Sequence, residues 1–511
     1  MRIAIRADSG TQIGGGHVMR CLSLAIAARD AGHDVRFICA KVAGHLGARI
    51  EAADISVSWL ATAGNTGADC DIENWRPMPV PDDNEATATA LGDFQPDWMI
   101  LDHYGLGGDW VKALRRKFPD IRVLALDDLD REPLFADLLL NPAAVPGSSI
   151  EQPHLGMLKG PRYAMLRPEF VEARKAALKR RTGAVRKVLV LPGMADHKNL
   201  APIALESLRA FPELECEVIM GSNSPSRARV EDLIADQPNW SLTLDASDMA
   251  QRMTDADLCI GAGGGSAWER CSLGLPSVNV ALADNQMPGI KAMAEAGAAV
   301  GLDTDALNDP QEIVEALRTV ISDYEDISSN AASLCDGHGA ARVVGAMSGK
   351  LRTVMLDDAK LIFEWRNQEH IRAASLNSDP LVWDDHVAYL ERVLADPSSH
   401  FWSIYQEEDL DLGLVNAKRH DDGSWIWGFY IGASDAPKGA GRRMLILALR
   451  HLMQKQGFTG VRATALANNP QSVSLHETLG FRRELNKSPS EIEYFLDLKT
   501  LNARLGLGLG A

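Results

Sequence analysis

The chain has 511 residues and a mass of 55.4 kDa, which implies about three domains, because a single core stops growing near roughly 250–300 residues. Apolar residues are 46% and charged residues 24%, a globular balance that excludes wholesale disorder. The formal charge of −17 excludes nucleic-acid or anionic-membrane binding through bulk positive charge, although a small phosphate pocket stays open to it. All seven cysteines precede residue 336. Their odd number and the lack of a C-x-x-C pair point to a reduced, cytoplasmic chain with no disulfide frame and no metal site. The opening MRIAIRADSG is interrupted by Arg6 and Asp8, so it reads as a first strand and not a signal peptide. No apolar run reaches the ~20 residues of a membrane span.

In chain order, residues 1–155 alternate strand-like runs (Arg2–Ala7, Asp34–Ala40, Trp98–Asp102, Arg122–Asp127, Asp137–Asn141) with helical stretches. Residues 156–345 repeat the pattern at Lys187–Pro192, Cys216–Gly221, Ser241–Asp245, Leu258–Gly261 and Ser277–Ala281. Such alternation predicts two doubly wound, Rossmann-like α/β halves with ligands beyond the C-terminal strand ends. Residues 346–352 read as a linker. Beyond it, 353–500 combine helices with alternating strands at His400–Gln406, Leu412–Lys418 and Trp425–Ile431, which predicts an α+β domain on an antiparallel sheet. Residues 501–511 form a tail with nothing to read.

The stretch RADSGTQIGGGHVMRCLSLA (6–25) places Gly14, Gly15 and Gly16 in a turn and His17 at the start of a helix. The field of a helix N-terminus favours a neutral imidazole, so His17 is a candidate general base, and the glycines let a substrate approach the backbone. The alternative is a helix-capping turn with an incidental histidine.

That block resembles the UDP-sugar hydrolases of pseudaminic acid biosynthesis, which release UDP from UDP-2,4-diacetamido-2,4,6-trideoxy-β-L-altropyranose. The resemblance extends over roughly residues 1–340. It is carried also by LDHYGLGGDW (101–110), LALDDLDREPLFADLLLNP (124–142), GPRYAMLRPEF (160–170) and IGAGGGSAWERCSLGLPSVNVALADNQ (260–286). It implies the two-domain architecture of GT-B nucleotide-sugar glycosyltransferases. It assigns His17 the activation of water at the anomeric carbon.

In the second glycine loop, Gly261, Gly263, Gly264 and Gly265 separate a strand from a helix. Backbone N–H groups there can bind a diphosphate without Lys or Arg. Glu269, one turn on, can accept ribose hydroxyls. The resemblance makes this the UDP half, with Ser266 and Glu269 as contacts. Asp284, Asn285 and Gln286 stand at the mouth of the next strand, where amides suit N-acetyl groups. Tyr104 is either a substrate contact or a core-edge tyrosine. LPGMADHKN (191–199) departs from the family's Gly-Gly-x-Asp turn but keeps Asp196 and Asn199 available.

SDAPKGAGRRMLILALRHLMQKQGF (434–458) sets a glycine turn before an amphipathic helix. The N–H groups of Lys438, Gly439, Ala440, Gly441, Arg442 and Arg443 can cradle a pyrophosphate, and the two arginines add charge. With ANNPQSVSLHETLGFRRE (467–484), this resembles the GNAT family of acetyl-CoA-dependent N-acetyltransferases over about residues 352–498. LIFEWRNQEHIR (361–372) looks like its amino-sugar branch. The resemblance makes Asn469 and Ser472 cofactor contacts and puts His476 where many members carry a tyrosine general acid. A half-buried helix histidine is the competing reading. Trp365 and Arg366 are candidates for the acceptor pocket, and Trp425 and Trp427 share one strand face.

The expected activity is bifunctional: N-acetylation of a UDP-4-amino-sugar by acetyl-CoA, then hydrolysis of the UDP-sugar. Small-molecule UDP-sugars are the expected partners, with no nucleic acid, no membrane and no metal. The rivals are a GT-B-type UDP-sugar glycosyltransferase fused to an acetyltransferase of different acceptor, and a non-catalytic nucleotide-sugar sensor.

Overall fold

Three sheets organise the protein in a computed structural model that describes residues 1–61, 75–128, 132–143, 156–181, 185–484 and 488–505. Cys70, the expected boundary at 155 and residues 506–511 of the tail lie outside the described residues. The first sheet contains β1 (Arg2–Ala7), β2 (Asp34–Ala40), β3 (Ser56–Leu60), β4 (Trp98–Asp102), β5 (Arg122–Leu126), β6 (Leu138–Asn141) and β7 (Gly156–Lys159). All its pairings are parallel, in the order β3-β2-β1-β4-β5-β6-β7. The second contains β8 (Lys187–Leu191), β9 (Glu215–Met220), β10 (Trp240–Leu244), β11 (Leu258–Ala262), β12 (Ser277–Val280) and β13 (Val300–Leu302), ordered β10-β9-β8-β11-β12-β13 and again parallel.

Strands such as RIAIRA and LCIGA are buried along nearly their whole length. A parallel sheet covered by helices on both faces requires that, and it explains their continuous apolar runs. In each sheet the strand order reverses once, between β1 and β4 and between β8 and β11. Loops leaving such a switch point diverge and open a crevice. Both glycine loops leave from one: Gly14–Gly16 follow β1, and Gly263–Gly265 follow β11.

The halves interlock. Strand β7 belongs to the first sheet although it follows residue 155. The Gly339–Met347 helix returns to the first half, where Val343 and Met347 share a core with Leu22, Leu24 and Ala25.

The third sheet contains β14 (Lys350–Thr353), β15 (His400–Glu407), β16 (Leu410–Arg419), β17 (Ser424–Ile431), β18 (Gly460–Leu466), β19 (Arg482–Arg483) and β20 (Glu491–Asp497). Its order is β14-β15-β16-β17-β18-β20-β19, antiparallel except for β17 and β18. Residues 346–352, expected as a linker, are instead the end of the returning helix, a short turn and most of β14. The third unit therefore begins without slack. It docks on the first sheet through Asp137, which accepts hydrogen bonds from Arg115 Nη2 (2.8 Å) and, across the interface, from Arg450 Nε (2.7 Å). Asp137 is 2% exposed, so these charges form a buried set.

The segment that contains LIFEWRNQEHIR (361–372) forms two helices, Ala359–Arg366 and Glu369–Ala373, which part at Asn367–Gln368. The six described cysteines are free and buried. Among the described residues no helix is long and apolar enough to cross a membrane.

Candidate active site

The first helix, Gly16–Asp30, starts at an N-cap glycine, Gly15, with no side-chain cap. Gly14 has φ +71°, a left-handed conformation that favours glycine. A Cβ on Gly15 would meet Leu46 Cδ1 at 2.7 Å, whereas one on Gly16 would meet nothing within 4 Å. The first two glycines make the turn, and the third keeps the cleft open.

His17 follows, 12% exposed at its side chain. Its Nδ1 lies 2.7 Å from Asp102 Oδ1, at the end of β4. Burial would raise the Asp102 pKa, but Arg20 and His17 overcome it and hold the group far below the usual carboxylate range. Asp102 is thus an anion that accepts, so His17 Nδ1 carries the proton and Nε2 is the basic nitrogen. Arg20 Nε and Nη2 each donate to Asp102 at 2.6 Å, and Arg20 Nη1 donates to Asp128 at 3.0 Å. The Tyr104 hydroxyl donates to Asp128 at 2.7 Å. The Tyr104 ring meets His17 edge-on, centroids 4.5 Å apart. Tyr104 is therefore both part of the core edge and part of the site.

Facing this network, the Gly265–Ser272 helix starts at Gly264, again without a side-chain cap. The Ala267 N–H turns back to Gly264 O at 2.9 Å, which sets Gly265 and Ser266 at the open end, where helix N–H groups have no intrahelical acceptor. A Cβ on Gly263 would strike Ile290 Cδ1 at 2.3 Å. The loop is held from behind by the fully buried Arg270, whose Nη2 donates to Ala262 O (2.9 Å) and Asn279 Oδ1 (2.6 Å).

A cleft of about 380 Å3 joins the two halves. It brings together Gly16, His17, Arg20, Tyr104 and Asp128 from the first half with Gly263, Gly264, Gly265, Trp268, Asn285 and Gln286 from the second. Asn285 Oδ1 is buried with no hydrogen-bond partner among the described residues. Gln286 Oε1 accepts from the Leu282 N–H at 3.0 Å, so its amide N–H groups are left for other acceptors.

Three expected contacts sit elsewhere. Ser266 Oγ accepts from Arg270 Nη1 at 3.2 Å. Glu269 Oε1 accepts from Arg167 Nε and Nη2, each at 3.1 Å; burial still raises its pKa against Arg167. Neither lines the cleft. Asp196 is not available to a ligand: it is 3% exposed and accepts from the Leu200 and Ala201 N–H groups and from Ser226 Oγ. Conversely, Arg20, Asp128 and Trp268 were not singled out from the sequence. Arg20 carried a signal, since it stands three residues after His17 on the same helix face.

The third unit has its own opening. Strands β17 and β18 pair only at Ser424–Ile426 and then part, although each continues four or five residues further. Beyond the split, Gly439, with φ +85°, caps the Ala440–Met453 helix. The loop from Lys438 to Gly441 thus presents a helix start, whose N–H groups are open to an anion, at the mouth of a wedge between strands. The arginines act differently from expectation. Arg443 is 6% exposed; its Nε donates to Glu407 at 2.6 Å and its Nη1 to Lys438 O at 3.1 Å. Its charge is spent inside the protein. Burial and the nearby Arg504 lower the Arg442 pKa to about 10.

His476 is corrected most sharply. It is 1% exposed. Trp427 Nε1, which can only donate, lies 3.2 Å from Nε2, and Ser472 O, which can only accept, lies 2.7 Å from Nδ1. Both ring positions are assigned: Nε2 accepts and Nδ1 donates. Burial also lowers its pKa. A neutral, enclosed imidazole has no proton to deliver to a thiolate. Asn469 caps the Pro470–Leu479 helix, accepting from the Ser472 N–H at 3.0 Å, so its oxygen is also occupied.

Fold and site together define a nucleotide-sugar-type two-domain cleft enzyme with an acyltransferase unit. Comparison with known proteins agrees at that level. Residues 196–343 match the glycosyltransferase family 28 C-terminal domain, and residues 350–482 match the acetyltransferase (GNAT) domain. An uncharacterized protein of Methanocaldococcus jannaschii is 22% identical over 98% of this chain and 100% of its own length. The spore coat polysaccharide biosynthesis protein SpsG of Bacillus subtilis is 23% identical over 68% of this chain and 98% of its own. A Campylobacter jejuni protein named UDP-2,4-diacetamido-2,4,6-trideoxy-beta-L-altropyranose hydrolase is 24% identical over 51% of this chain and 84% of its own. Among solved structures, MurG of Acinetobacter baumannii aligns with 67% of this chain and 98% of its own at 18% identity and a TM-score of 0.49. The architecture is two Rossmann-like halves, the second matching the family 28 C-terminal domain, followed by an α+β unit that matches the acetyltransferase (GNAT) domain.

Proposed function

We propose that the protein is a bifunctional nucleotide-sugar enzyme. Its cleft hydrolyses UDP-2,4-diacetamido-2,4,6-trideoxy-β-L-altropyranose to UDP and free sugar. Its third unit, beginning near residue 350, transfers acetyl from acetyl-CoA to the 4-amine of the UDP-4-amino-sugar precursor. The single observation that carries the hydrolytic half is the His17–Asp102 pair, which leaves a basic Nε2 beside the cleft.

In this mechanism water attacks the anomeric carbon on the face opposite the leaving UDP, inverting it. His17 Nε2 accepts the water proton, and Asp102 stabilises the imidazolium that forms. The diphosphate gains negative charge as the glycosidic bond breaks, and the open N–H groups at Gly264–Ser266 are suited to hold it. Asn285 Oδ1 accepts from the N–H of one acetamido group, and Gln286 donates to a carbonyl of the sugar. In the third unit, the amine attacks the acetyl carbonyl of acetyl-CoA, CoA leaves as thiolate, and the amine loses one proton. The separation of β17 from β18 and the Lys438–Gly441 turn support acetyl-CoA as co-substrate; His476 takes no part as an acid.

The hydrolase named in Campylobacter jejuni supports the substrate class. The family 28 match favours a second reading, glycosyl transfer to a sugar acceptor in the same cleft. Incubation with the diacetamido UDP-sugar and no acceptor decides between them. Release of UDP and free sugar is expected, and release only upon addition of a sugar acceptor would replace the hydrolase by a transferase.

A further inference from the structure

A cavity of about 20 Å3 lies where the first sheet meets the third unit. Trp98 of β4, Arg122 of β5 and Asp137, just before β6, line it from the first half. Tyr405 of β15 and Arg443 and Arg450 of the Ala440–Met453 helix line it from the third unit. That volume holds one particle about the size of a water molecule.

The charges around the cavity do not balance. The cations are Arg122, Arg443, Arg450 and Arg115, which binds Asp137. The buried anions are Asp137 and Glu407. Both carboxylates are committed. Asp137 Oδ1 accepts from Arg450 Nε at 2.7 Å, and Oδ2 accepts from Arg115 Nη2 at 2.8 Å and from the Val123 N–H at 2.7 Å. Glu407 Oε1 accepts from Arg443 Nε at 2.6 Å and from the Tyr405 hydroxyl. Arg122 is left with neutral company: Nη1 donates to Gly349 O at 3.2 Å, and the guanidinium lies 4.6 Å from the centre of the Trp98 ring. Burial lowers its pKa, Asp137 opposes that, and Arg450 adds to it. Asp97 also acts on Arg122, but Asp97 is exposed, where water screens it. Arg450 Nη2 lies 2.5 Å from Asp137 Oδ1 without the geometry of a hydrogen bond, and it is buried with no hydrogen-bond partner among the described residues. An excess of buried positive charge beside an unsatisfied guanidinium nitrogen is costly unless an anion offsets it.

We propose that this cavity is a halide site, in which one chloride ion sits between Arg122 and Arg450 and pins the acyltransferase unit to the first half. A water molecule would accept from Nη2 but leave the charge excess in place. Chloride supplies both the acceptor and the charge, and charge-assisted bonds are the stronger ones. Sulfate and phosphate are too large for the space. The site stands apart from both reactions, since no lining residue belongs to the cleft or to the Lys438–Gly441 turn.

The test is anomalous diffraction from crystals of the full chain soaked in sodium bromide. A bromide peak is expected in the cavity, in contact with Arg122 and Arg450. In solution, the thermal midpoint should be about 2–4 °C higher in chloride than in gluconate at equal ionic strength, because chloride binds the folded state and gluconate does not fit. Arg122→Gln keeps a donor for Gly349 O but removes the charge, and it should lose that difference. A cavity holding only a water in the bromide-soaked crystal overturns the proposal, whatever the midpoints. So does a chloride effect that Arg122→Gln retains in full. If Arg122→Gln fails to fold, diffraction from the wild-type protein decides alone.

Discussion

Asp102 Oδ1 lies 2.7 Å from His17 Nδ1, and the same carboxylate is gripped by Arg20 Nε and Nη2 at 2.6 Å each. This pairing fixes which histidine nitrogen is free. Asp102→Asn keeps the shape but removes the anion, so the imidazole loses both its tautomer preference and the charge that would stabilise its protonated form. The kcat for UDP release should fall by about 10²–10⁴-fold, with little change in KM and none in acetyl transfer. Wild-type hydrolysis by Asp102→Asn would remove the histidine from the role of base.

The bonding of His476 makes an opposite prediction for the acyltransferase. His476→Phe leaves Trp427 Nε1 and Ser472 O unpaired in the core, a loss of about 1–3 kcal/mol visible as a lowered thermal midpoint. The folded fraction should transfer acetyl within about threefold of the wild-type kcat, because removing a true general acid costs about a hundredfold or more. The pH–rate profile should show no limb belonging to this residue. A hundredfold loss with the midpoint unchanged would restore His476 as the acid.

These two histidines show what a single sequence reveals. Glycine turns, strand ends and helix starts are local, so Gly14–Gly16, Gly263–Gly265 and Gly439 could be placed from the chain alone. Partners distant in sequence could not. Asp102 reaches His17 across 85 residues, and Glu407 neutralises Arg443 across 36. Nothing near Arg443 announces that its charge is already spent. The switch points turned local loops into one cleft, whereas the enclosing of His476 depended on Trp427, 49 residues away. The interlocking of units was also hidden: β7 and the Gly339–Met347 helix join the first half by pairing and packing, and composition does not record either.

Acid should unfold the protein through its arginine-bound carboxylates. Burial would raise the pKa values of Asp8, Asp102, Asp128 and Asp137, but Arg6 at the first, Arg20 at the next two and Arg450 at the last pull all four below the ordinary value. A carboxylate with a depressed folded pKa adds stability that is fully present above its unfolded pKa, near pH 4, and is lost as pH falls toward the folded value. Asp196 and Glu269, raised by burial, act in the opposite sense, but they are outnumbered. The buried His103 and His476, whose pKa values burial lowers, take up protons more readily unfolded, so the thermal midpoint should begin to decline below about pH 6.5 and drop steeply below about pH 4. A midpoint that rose between pH 5 and pH 3 would contradict this charge arrangement.

Asn285 separates recognition from stability. Its Oδ1 is buried at the cleft without a partner among the described residues, so the group contributes desolvation cost and no compensating bond from them. Asn285→Ala removes that cost together with the acceptor. The thermal midpoint should stay level or rise, while KM for the diacetamido UDP-sugar should increase about tenfold, the worth of one hydrogen bond to a buried acceptor. A UDP-sugar lacking acetamido groups should be handled alike by variant and wild type, because it offers Oδ1 no N–H. If Asn285→Ala destabilised the protein and left both substrates unaffected, the residue would be structural, and recognition of the N-acetyl group would have to come from elsewhere in the cleft.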